Sequence, residues 1–384
     1  MKLTVAGRGM AGLLSAAHFN KWSDWEIEII GDPEIPPVNV GEGSTVLLPV
    51  ALGEHLDFDY DDFDDVGGTQ KHGIRYEDWY SNSFFHSFPI GVFGLHFDAS
   101  HMKAWIENRL KGEVVFKEEH IDDIEQVDGD YVMDCRGWAY EDDRTEIEAP
   151  INSAIVLERE PQDFRTTLAK AMKHGWMFGI PLQHRTSYGY LYNDQFVSEE
   201  EVVEEMLQIV GGEPNYRAMS IPSYHTGFQE GGRIIRNGNA SHFFEPLEAT
   251  SLGCADRINR YAFDHWYRRS QGENVMEAVL FKHFYQDLLI ETEAIINMHY
   301  LRGSEHETDF WEYAKGVAEE TMSTLPLTLL QELRTIAQGD GYMVGNYSQD
   351  VISLWPVRAV ELNFDAIGIT VDEIERWIEK TPNR

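Results

Sequence analysis

Residues 2–12, KLTVAGRGMAG, decide the fold of the N-terminal part of the chain. An apolar, strand-like segment leads directly into the pattern GxGxxG and then into an apolar helical segment. In that setting glycines permit a tight turn, a close approach of the backbone to a pyrophosphate and close packing of helix on strand. The free N–H groups at the start of the helix favour a bound anion. The pattern predicts a dinucleotide-binding unit rather than a purely structural turn, with the cofactor-binding candidates Gly7, Gly9, Met10, Ala11 and Gly12.

The second strand of this unit is predicted at residues 25–30, WEIEII, which alternate and are rich in β-branched side chains. In dinucleotide-binding folds an acidic residue at the end of this strand binds the ribose. Gly31 occupies that place and Asp32 follows it, so Asp32 is the candidate ribose ligand. Residues 31–44 contain several prolines and glycines and are predicted to form a long ordered loop.

The rest of the chain mixes strands and helices before it becomes helical. Asp98 is predicted to cap a helix, and Ser198 with Glu201 forms a capping-box pattern before another. Short strands are predicted at residues 113–117 and 130–134. Beyond Gly232, apolar residues at helical spacing predict helices at residues 273–300, 308–320, 326–338 and 371–380. The predicted fold class is α/β, with a nucleotide-binding start and a helical C-terminal part.

The composition narrows the function classes. The 384 residues carry 66 acidic against 31 basic side chains, a formal net charge of -35. Such a charge repels phosphate backbones and anionic lipids, so we expect no nucleic-acid partner and no membrane surface. The chain has only two cysteines, and it contains no apolar run near the roughly 18 residues that a membrane helix needs. Both observations favour a cytoplasmic protein. The sequence contains no HExxH or CxxC metal pattern, no GxSxG elbow and no phosphate loop.

Two short motifs favour FAD over NAD as the dinucleotide. Residues 134–137, Asp-Cys-Arg-Gly, end a predicted strand and resemble the second motif of flavin monooxygenase-type proteins. Residues 238–240, Gly-Asn-Ala, resemble the third motif of those proteins, Gly-Asp-Ala, with Asn239 in place of the aspartate. The resemblance implies a Rossmann-like, FAD-binding domain of the flavin monooxygenase type, in which Gly238 and Asn239 contact the cofactor.

Three further segments carry a more specific resemblance. They are residues 67–79, GGTQKHGIRYEDW, residues 176–181, WMFGIP, and residues 245–252, EPLEATSL. Together with His299-Tyr300 and Phe310-Trp311 they stand in the order found in the flavin-dependent halogenases of the tryptophan halogenase family, which the chain resembles over about residues 1–315. In that family the second segment is Trp-x-Trp-x-Ile-Pro and the third is Glu-Pro-Leu-Glu-Ser-Thr-Gly.

The resemblance implies catalytic roles for two side chains. Lys71 stands in the neighbourhood of the family's active-site lysine, and its amine would hold hypohalous acid by a hydrogen bond or as a haloamine. Burial would lower the pKa of that amine and make it reactive near neutral pH. Glu248 would be the carboxylate that offsets positive charge on the aromatic ring and helps to remove its proton.

The resemblance also assigns a halide site and a passage. Backbone N–H groups of Thr250 and Ser251 would bind the halide, with Leu252 against the flavin. Ser251 stands where the family has glycine, and Ala249 where it has serine. The walls of a passage between the flavin and the lysine would be Trp176, Phe178 and Pro181, with Phe178 replacing the second tryptophan of the family motif.

The implied organisation is an FAD-binding module interleaved with a substrate region. We assign residues 1–75, 98–155 and 230–272 to the FAD-binding module. Residues 76–97 and 156–229 form the substrate and sheet region, and residues 273–384 form the helical C-terminal region. The chain is shorter than the family members that act on free tryptophan, so tryptophan itself is not implied as the substrate.

The expected reaction joins FADH₂, O₂ and chloride, bromide or iodide to make hypohalous acid for a small, electron-rich aromatic substrate. The cofactor carries the oxidation chemistry and the protein positions the reactants. Because no second nucleotide-binding pattern is present, a separate flavin reductase is expected to supply FADH₂. Whether the protein is a monomer or a homo-oligomer stays open. Two alternatives stay open: a flavin-dependent aromatic hydroxylase, and a non-catalytic flavin-binding protein.

Overall fold

The computed structural model describes residues 1–32, 34–35, 40–80, 83–137, 143–227, 229, 232–272, 278–339, 350–352 and 354–381. The strands are β1 (Lys2–Ala6), β2 (Glu26–Gly31), β3 (Glu42–Gly43), β4 (Thr69–Lys71), β5 (Gly73–Glu77), β6 (Phe84–Ser87), β7 (Gly94–Phe97), β8 (Val115–Glu118), β9 (Tyr131–Asp134), β10 (Thr145–Glu146), β11 (Ser153–Arg159), β12 (Thr167–Met172), β13 (Gly175–Pro181), β14 (Thr186–Tyr192), β15 (Tyr216–Ser220), β16 (Tyr224–His225), β17 (Ile234–Arg236), β18 (His242–Phe243), β19 (Asp350–Ile352) and β20 (Trp355–Pro356).

The helices follow the same chain order, and two short 3₁₀ segments, Gly238–Ala240 and His299–Arg302, matter for the site. The α-helices are α1 (Met10–Trp22), α2 (Leu47–Leu56), α3 (Ala99–Leu110), α4 (Glu199–Val210), α5 (Ser251–Ser270), α6 (Ala278–Met298), α7 (Asp309–Thr324), α8 (Leu327–Ala337), α9 (Val357–Ile367) and α10 (Val371–Lys380).

The N-terminal unit is a parallel sheet of five strands in the order β17-β9-β1-β2-β8. Its central strand, β1, is apolar and buried, as expected for a parallel sheet that is covered on both faces. The chain leaves β1 through the glycine turn into α1, which packs against α2, α3 and α5. This arrangement confirms the predicted α/β class and the predicted strand–turn–helix start.

A second sheet of seven strands has the order β15-β11-β14-β13-β12-β5-β6. Its pairs are antiparallel except for the parallel pair of β12 and β5. One face of the sheet packs against α4, whose Val202 and Met206 contact a separate small core. The opposite face carries Trp176 and Phe178 into the main core. A third, small antiparallel sheet has the strand order β3-β7-β4, and β5 and β6 of the seven-stranded sheet lie between its strands β4 and β7 in the chain. Lys71 is the last residue of β4.

The C-terminal part is predominantly helical, as predicted, and α9 packs against both β6 and the 3₁₀ segment His299–Arg302. No helix among the described residues has the length and apolar character needed to cross a membrane. Both cysteines, Cys135 and Cys254, are buried and free. The capping box of Ser198 and Glu201 is present, and the predicted cap Asp98 accepts hydrogen bonds from the N–H groups of the first turn of α3.

Candidate active site and cofactor cradle

The glycine turn has the shape of a phosphate cradle. Gly7 has a φ of +114°, and a Cβ added to it would lie 2.3 Å from the carbonyl oxygen of Cys135. A Cβ on Gly12 would lie 2.0 Å from the carbonyl oxygen of Gly7, so helix and strand pack in contact there. Around Gly9, at the cap of α1, a Cβ would meet no atom of the described residues within 4 Å. The turn is therefore closed on the protein side and open where a pyrophosphate would approach the helix N-terminus.

The three cofactor motifs meet at one edge of the parallel sheet, because β9, β1 and β17 end side by side. The N–H of Cys135 donates to the carbonyl oxygen of Ala6 at 2.6 Å, and the N–H of Asn237 donates to that of Asp134 at 2.8 Å. Gly238 has a φ of +57°, and a Cβ there would lie 2.6 Å from the Cβ of Ala11. The third motif thus contacts the first turn of α1, at the carboxyl edge where doubly wound sheets bind ligands.

Asp32 lies just after β2 and is already engaged by neighbours. Its carboxylate lies 2.6 Å from Nδ1 of His120 and accepts a 2.8 Å hydrogen bond from the N–H of Glu34. The hydrogen bond with His120 lowers the pKa of Asp32. The predicted ribose ligand is thus an anion at the correct strand end. For Asn239, it is the backbone carbonyl oxygen that accepts a 2.7 Å hydrogen bond, from the hydroxyl of Tyr224.

Lys71 is a buried amine. Its side chain is 1% exposed, and within the described residues it forms no ion pair. The Nζ atom lies 5.6 Å from the ring centroid of Phe88, a distance at which the ring face attracts the ammonium form. Burial lowers the pKa of Lys71 to about 8, against an opposing attraction from Glu248. The lysine is therefore partly neutral, and so nucleophilic, near physiological pH.

Glu248 is a buried carboxylate that accepts hydrogen bonds from three side chains. Its Oε1 lies 2.5 Å from the hydroxyl of Tyr76 and 2.9 Å from Nε2 of His299, and its Oε2 accepts from Nε1 of Trp355 at 3.2 Å. Burial by itself would raise the pKa of Glu248. The hydrogen bonds and charges of its neighbours, His299 foremost, outweigh burial and lower that pKa to about 2. The group is an anion at every working pH.

The donors around Glu248 are the residues that sequence reasoning missed. Tyr76 and His299 lie in segments that carry the family resemblance, but nothing in their local patterns indicates that they contact each other or the carboxylate. Tyr76 stacks on His299 with ring centroids 4.9 Å apart. Tyr80 adds a further contact, because its hydroxyl lies 3.3 Å from Nδ1 of His299.

The predicted halide residues lie at the N-terminus of the 20-residue helix α5. Thr250 is the N-cap, and its carbonyl oxygen accepts the first intrahelical hydrogen bond from Cys254 at 2.9 Å. Ser251 and Leu252 begin the helix, where N–H groups have no intrahelical partner and the helix dipole favours an anion. Ala249, immediately before the cap, has a φ of +55°, which is unusual for a residue with a side chain.

The predicted passage residues lie along β13. Trp176 and Phe178 project from the same face, with ring centroids 6.4 Å apart. Phe178 lies over Gly189 of β14, where an added Cβ would come within 2.2 Å of its ring. At the end of the strand the carbonyl oxygen of Pro181 accepts a 2.8 Å hydrogen bond from the hydroxyl of Thr69. This bond ties β13 to β4, the strand that ends in Lys71.

One group of three possible metal ligands among the described residues lies away from these motifs: His18, His55 and Asp256. Nε1 of Trp22 donates to Nδ1 of His55 at 3.2 Å, so in the neutral ring Nε2 carries the proton and cannot bind a metal. Asp256 is also neutralised by Arg260 at 2.8 Å. Burial lowers the pKa of His18 to about 3, which keeps it neutral. Hydrogen bonds and the ion pair with Arg260 engage His55, Asp256 and Nδ1 of His18, whereas Nε2 of His18 is buried without a hydrogen-bond partner among the described residues.

Comparison with known proteins gives concordant matches. The family model described as tryptophan halogenase matches residues 2–122 and 113–361. Tryptophan 7-halogenase RebH of Lentzea aerocolonigenes is 21% identical over 420 residues, covering 82% of this chain and 78% of that protein. The solved tryptophan halogenase from Shewanella frigidimarina NCIMB 400 superposes with a TM-score of 0.77 at 16% identity, covering 99% of this chain and 93% of that chain. BrvH, a flavin-dependent halogenase from Brevundimonas sp. BAL3, has a TM-score of 0.70 at 16% identity, covering 99% and 97% of the two chains.

Proposed function

The chain belongs to the tryptophan halogenase family, and from this premise we propose that Lys71 delivers hypohalous acid to an electron-rich aromatic substrate beside Glu248. The observation that carries the proposal is the pair itself: a buried amine with no ion pair among the described residues, under the electrostatic influence of a buried carboxylate. Most buried lysines are paired, so an unpaired one in this setting is an unusual and reactive group.

The family match confirms the flavin-dependent halogenase class and FAD as the cofactor, and it does not favour the hydroxylase alternative. The residues fit the cofactor, because the open backbone at Gly9 and the start of α1 can accept a pyrophosphate. Met10, Ala11 and Gly238 would complete that cradle, and Asp32 would hold the ribose. When bound, reduced flavin supplies with O₂ the oxidation of a halide to hypohalous acid.

Lys71 then has a defined task. Its neutral amine can accept a hydrogen bond from hypohalous acid or take up the halogen as a haloamine, with loss of water. The pKa of about 8 leaves a substantial neutral fraction near pH 7.5. The apolar ring of Phe88 beside Nζ limits access of water, so the oxidised halogen would be consumed by the substrate rather than by solvent.

Glu248 acts as a fixed negative charge. When the halogen adds to an aromatic ring, the ring becomes a cation, and a preorganised carboxylate stabilises it without rearranging. A carboxylate with a pKa of about 2 is a weak base, yet the halogenated ring cation is acidic enough to give up its proton to it. Electrostatic stabilisation is therefore the larger part of the role that we propose for Glu248.

The halide would bind to backbone N–H groups of Thr250 and Ser251 at the start of α5. A helix N-terminus suits an anion in a protein with a net charge of -35, because the donors are dipoles rather than side chains that would have to be ionised. Leu252, half-buried in the first turn, would lie against the flavin. Trp176, Phe178 and Pro181 would wall the passage from flavin to lysine.

The proposed substrate is a small aromatic, tryptophan-like molecule, since the curated relatives are named for tryptophan. A separate flavin reductase would supply FADH₂. The test is a reaction of the purified protein with a flavin reductase, NADH, FAD and each of chloride, bromide and iodide. Indoles, phenols and tryptophan form the substrate panel, read by mass spectrometry. A halide-dependent mass shift is expected, and FAD binding without any such shift would overturn the proposal.

A further inference from the structure

His299 contacts two tyrosines, Tyr76 and Tyr80, as well as the carboxylate of Glu248. It lies in the 3₁₀ segment His299–Arg302 and is 0% exposed. Its Nε2 lies 2.9 Å from Oε1 of Glu248, and its Nδ1 lies 3.3 Å from the hydroxyl of Tyr80. The ring stacks on Tyr76, the other residue that binds Oε1, with an interplanar angle of 13°. Both nitrogens and one ring face of the histidine are thus occupied.

These contacts fix the tautomer of the ring. An ionised carboxylate only accepts hydrogen bonds, so Nε2 of His299 must carry the proton that faces Glu248. Nδ1 then accepts from the hydroxyl of Tyr80 when the ring is neutral. If Nδ1 is also protonated, it donates to that hydroxyl instead. Burial raises the pKa of Tyr80, so its hydroxyl stays protonated in either case.

The backbone holds Tyr80 in an uncommon conformation to make this contact. Asp78 and Tyr80 both have left-handed φ values, +62° and +58°. Two hydrogen bonds pin the segment to the chain that follows His299: the N–H of Tyr80 donates to the carbonyl oxygen of Gly303 at 3.2 Å, and that of Glu305 donates to Asp78 at 3.0 Å. Strained residues that the surrounding structure enforces in this way are typical of functional sites.

We propose that His299 is a positioning residue, which fixes the orientation of the Glu248 carboxylate for the halogenation step, and that Tyr80 holds the histidine ring in place at Nδ1. This inference rests on the proposed function, because it gives Glu248 its role in that reaction. Within the described part of the chain His299 contacts Glu248, Tyr76 and Tyr80, but neither Lys71 nor the cofactor motifs, so Glu248 is the group through which it would affect the reaction. Without it, Oε1 would lose one of its two donors and the buried charge would be less well compensated.

Four other titratable groups influence Glu248 and have to be considered in any pH dependence. Tyr76 donates to it directly, and His86 on β6 lowers its pKa. Lys71 on β4 and Tyr80 also interact electrostatically with it. Burial lowers the pKa of His86, so that ring is mostly neutral at neutral pH and cannot replace a missing His299. His299 also lowers the pKa of His86, so the pH profile is compared among several variants rather than read from one.

The test is the pH profile of halogenation in His299→Leu, His299→Gln and Tyr80→Phe. Losing a hydrogen bond to a buried charge predicts a rate about 10- to 100-fold lower at pH 7 for His299→Leu. The pKa of Glu248 should rise, so activity should fall on the acid side at a higher pH than in the unaltered protein. His299→Gln keeps an N–H near the position of Nε2. It should restore most of the halogenation rate and most of the original position of the acid limb. Tyr80→Phe should give a smaller loss in the same direction.

His55→Gln is the matched control, because it removes another buried, hydrogen-bonded histidine that does not contact Glu248. It should lower thermal stability without moving the acid limb. A His299→Leu protein that binds FAD, unfolds normally and keeps the rate and the acid limb of the unaltered protein would overturn the inference. Failure of the unaltered protein to halogenate any substrate would instead overturn the proposed function.

Discussion

The hydroxyl of Tyr76 donates a 2.5 Å hydrogen bond to Oε1 of Glu248. The two residues are 172 positions apart, and both are buried. Because Tyr76 follows Lys71 by only five residues, this bond ties the segment that carries the amine to the segment that begins α5. The amine, the carboxylate and the N-terminus of α5 are thereby linked through one contact.

Tyr76→Phe should weaken halogenation while leaving the cofactor cradle intact. The variant removes a donor to a buried charge, which costs about 1–3 kcal/mol of interaction. We expect a rate roughly 10-fold lower and an unchanged affinity for FAD, measured by product formation and by quenching of flavin fluorescence. A Tyr76→Phe protein with an undiminished rate would show that this hydrogen bond does not matter for the reaction.

Two glycines of the turn should differ in their roles: Gly9 should matter for FAD affinity and Gly12 for the stability of the fold. Gly9→Val places a side chain in open space where the pyrophosphate should lie, so the free protein should keep its melting temperature and lose FAD affinity. Gly12→Ala would put a Cβ 2.0 Å from the carbonyl oxygen of Gly7, so it should lower the melting temperature itself. Calorimetry with and without FAD separates the two effects. Equal loss of stability in both variants would contradict the assigned roles.

Lys71→Met should stabilise the protein and change its response to pH. The pKa of Lys71 is about 8 in the folded state, against 10.5 for an unperturbed lysine. Between these values the unfolded chain binds more protons, so the free energy of unfolding should rise with pH by up to about 3 kcal/mol. The rise should be absent in Lys71→Met, which should also be the more stable protein at pH 7. Chemical denaturation at pH 7, 9 and 10.5 measures both differences.

The proposed halide site at the start of α5 can be tested by adding a negative charge there. Ser251→Ala should leave the KM for bromide within about twofold, because the proposed donors are backbone N–H groups. Ser251→Asp places a carboxylate where the dipole favours it, which should stabilise the helix by about 0.3–1 kcal/mol. The same carboxylate should raise the KM for bromide roughly 10-fold by repulsion. A raised KM in Ser251→Ala would instead indicate a side-chain donor.

The sequence predicted elements that are set locally. The glycine turn, the cap at Asp98 and the helix α10 (Val371–Lys380) follow from short-range patterns of glycine, capping residues and apolar spacing. Helix α5 was not foreseen, because its buried face carries polar side chains that hide the apolar period. These buried polar residues are Asp256, Asn259 and His265.

Helix α6 shows how tertiary packing selects a face. Val279, Leu280 and Phe284 were among the apolar residues at helical spacing, yet they are 59%, 48% and 40% exposed. The buried face instead carries Phe281, Tyr285 and Leu288. Apolar residues lie on more than one side of this helix, so their spacing alone does not reveal which side meets the core.

The candidate site also contains residues that the sequence predicted and contacts that it did not predict. Lys71 and Glu248 stand in motifs and were predicted, and the structure places both in the buried interior. The contacts of Glu248 with Tyr76 and His299 span 172 and 51 positions of the chain. No local pattern encodes such pairs, since they arise only when β5 and the segment after α6 pack together. The hydrogen-bonding partners that tune a site are therefore the part that the structure adds.

The most direct test of the central claim is bromination by Lys71→Met with FADH₂, O₂, bromide and a substrate that the unaltered protein brominates. Free methionine in the assay removes any hypobromous acid that escapes, and O₂ uptake is followed in parallel. We predict that the variant binds FAD and consumes O₂ but gives no brominated product. Bromination at a rate near that of the unaltered protein would contradict the role of Lys71 as the carrier of the halogen.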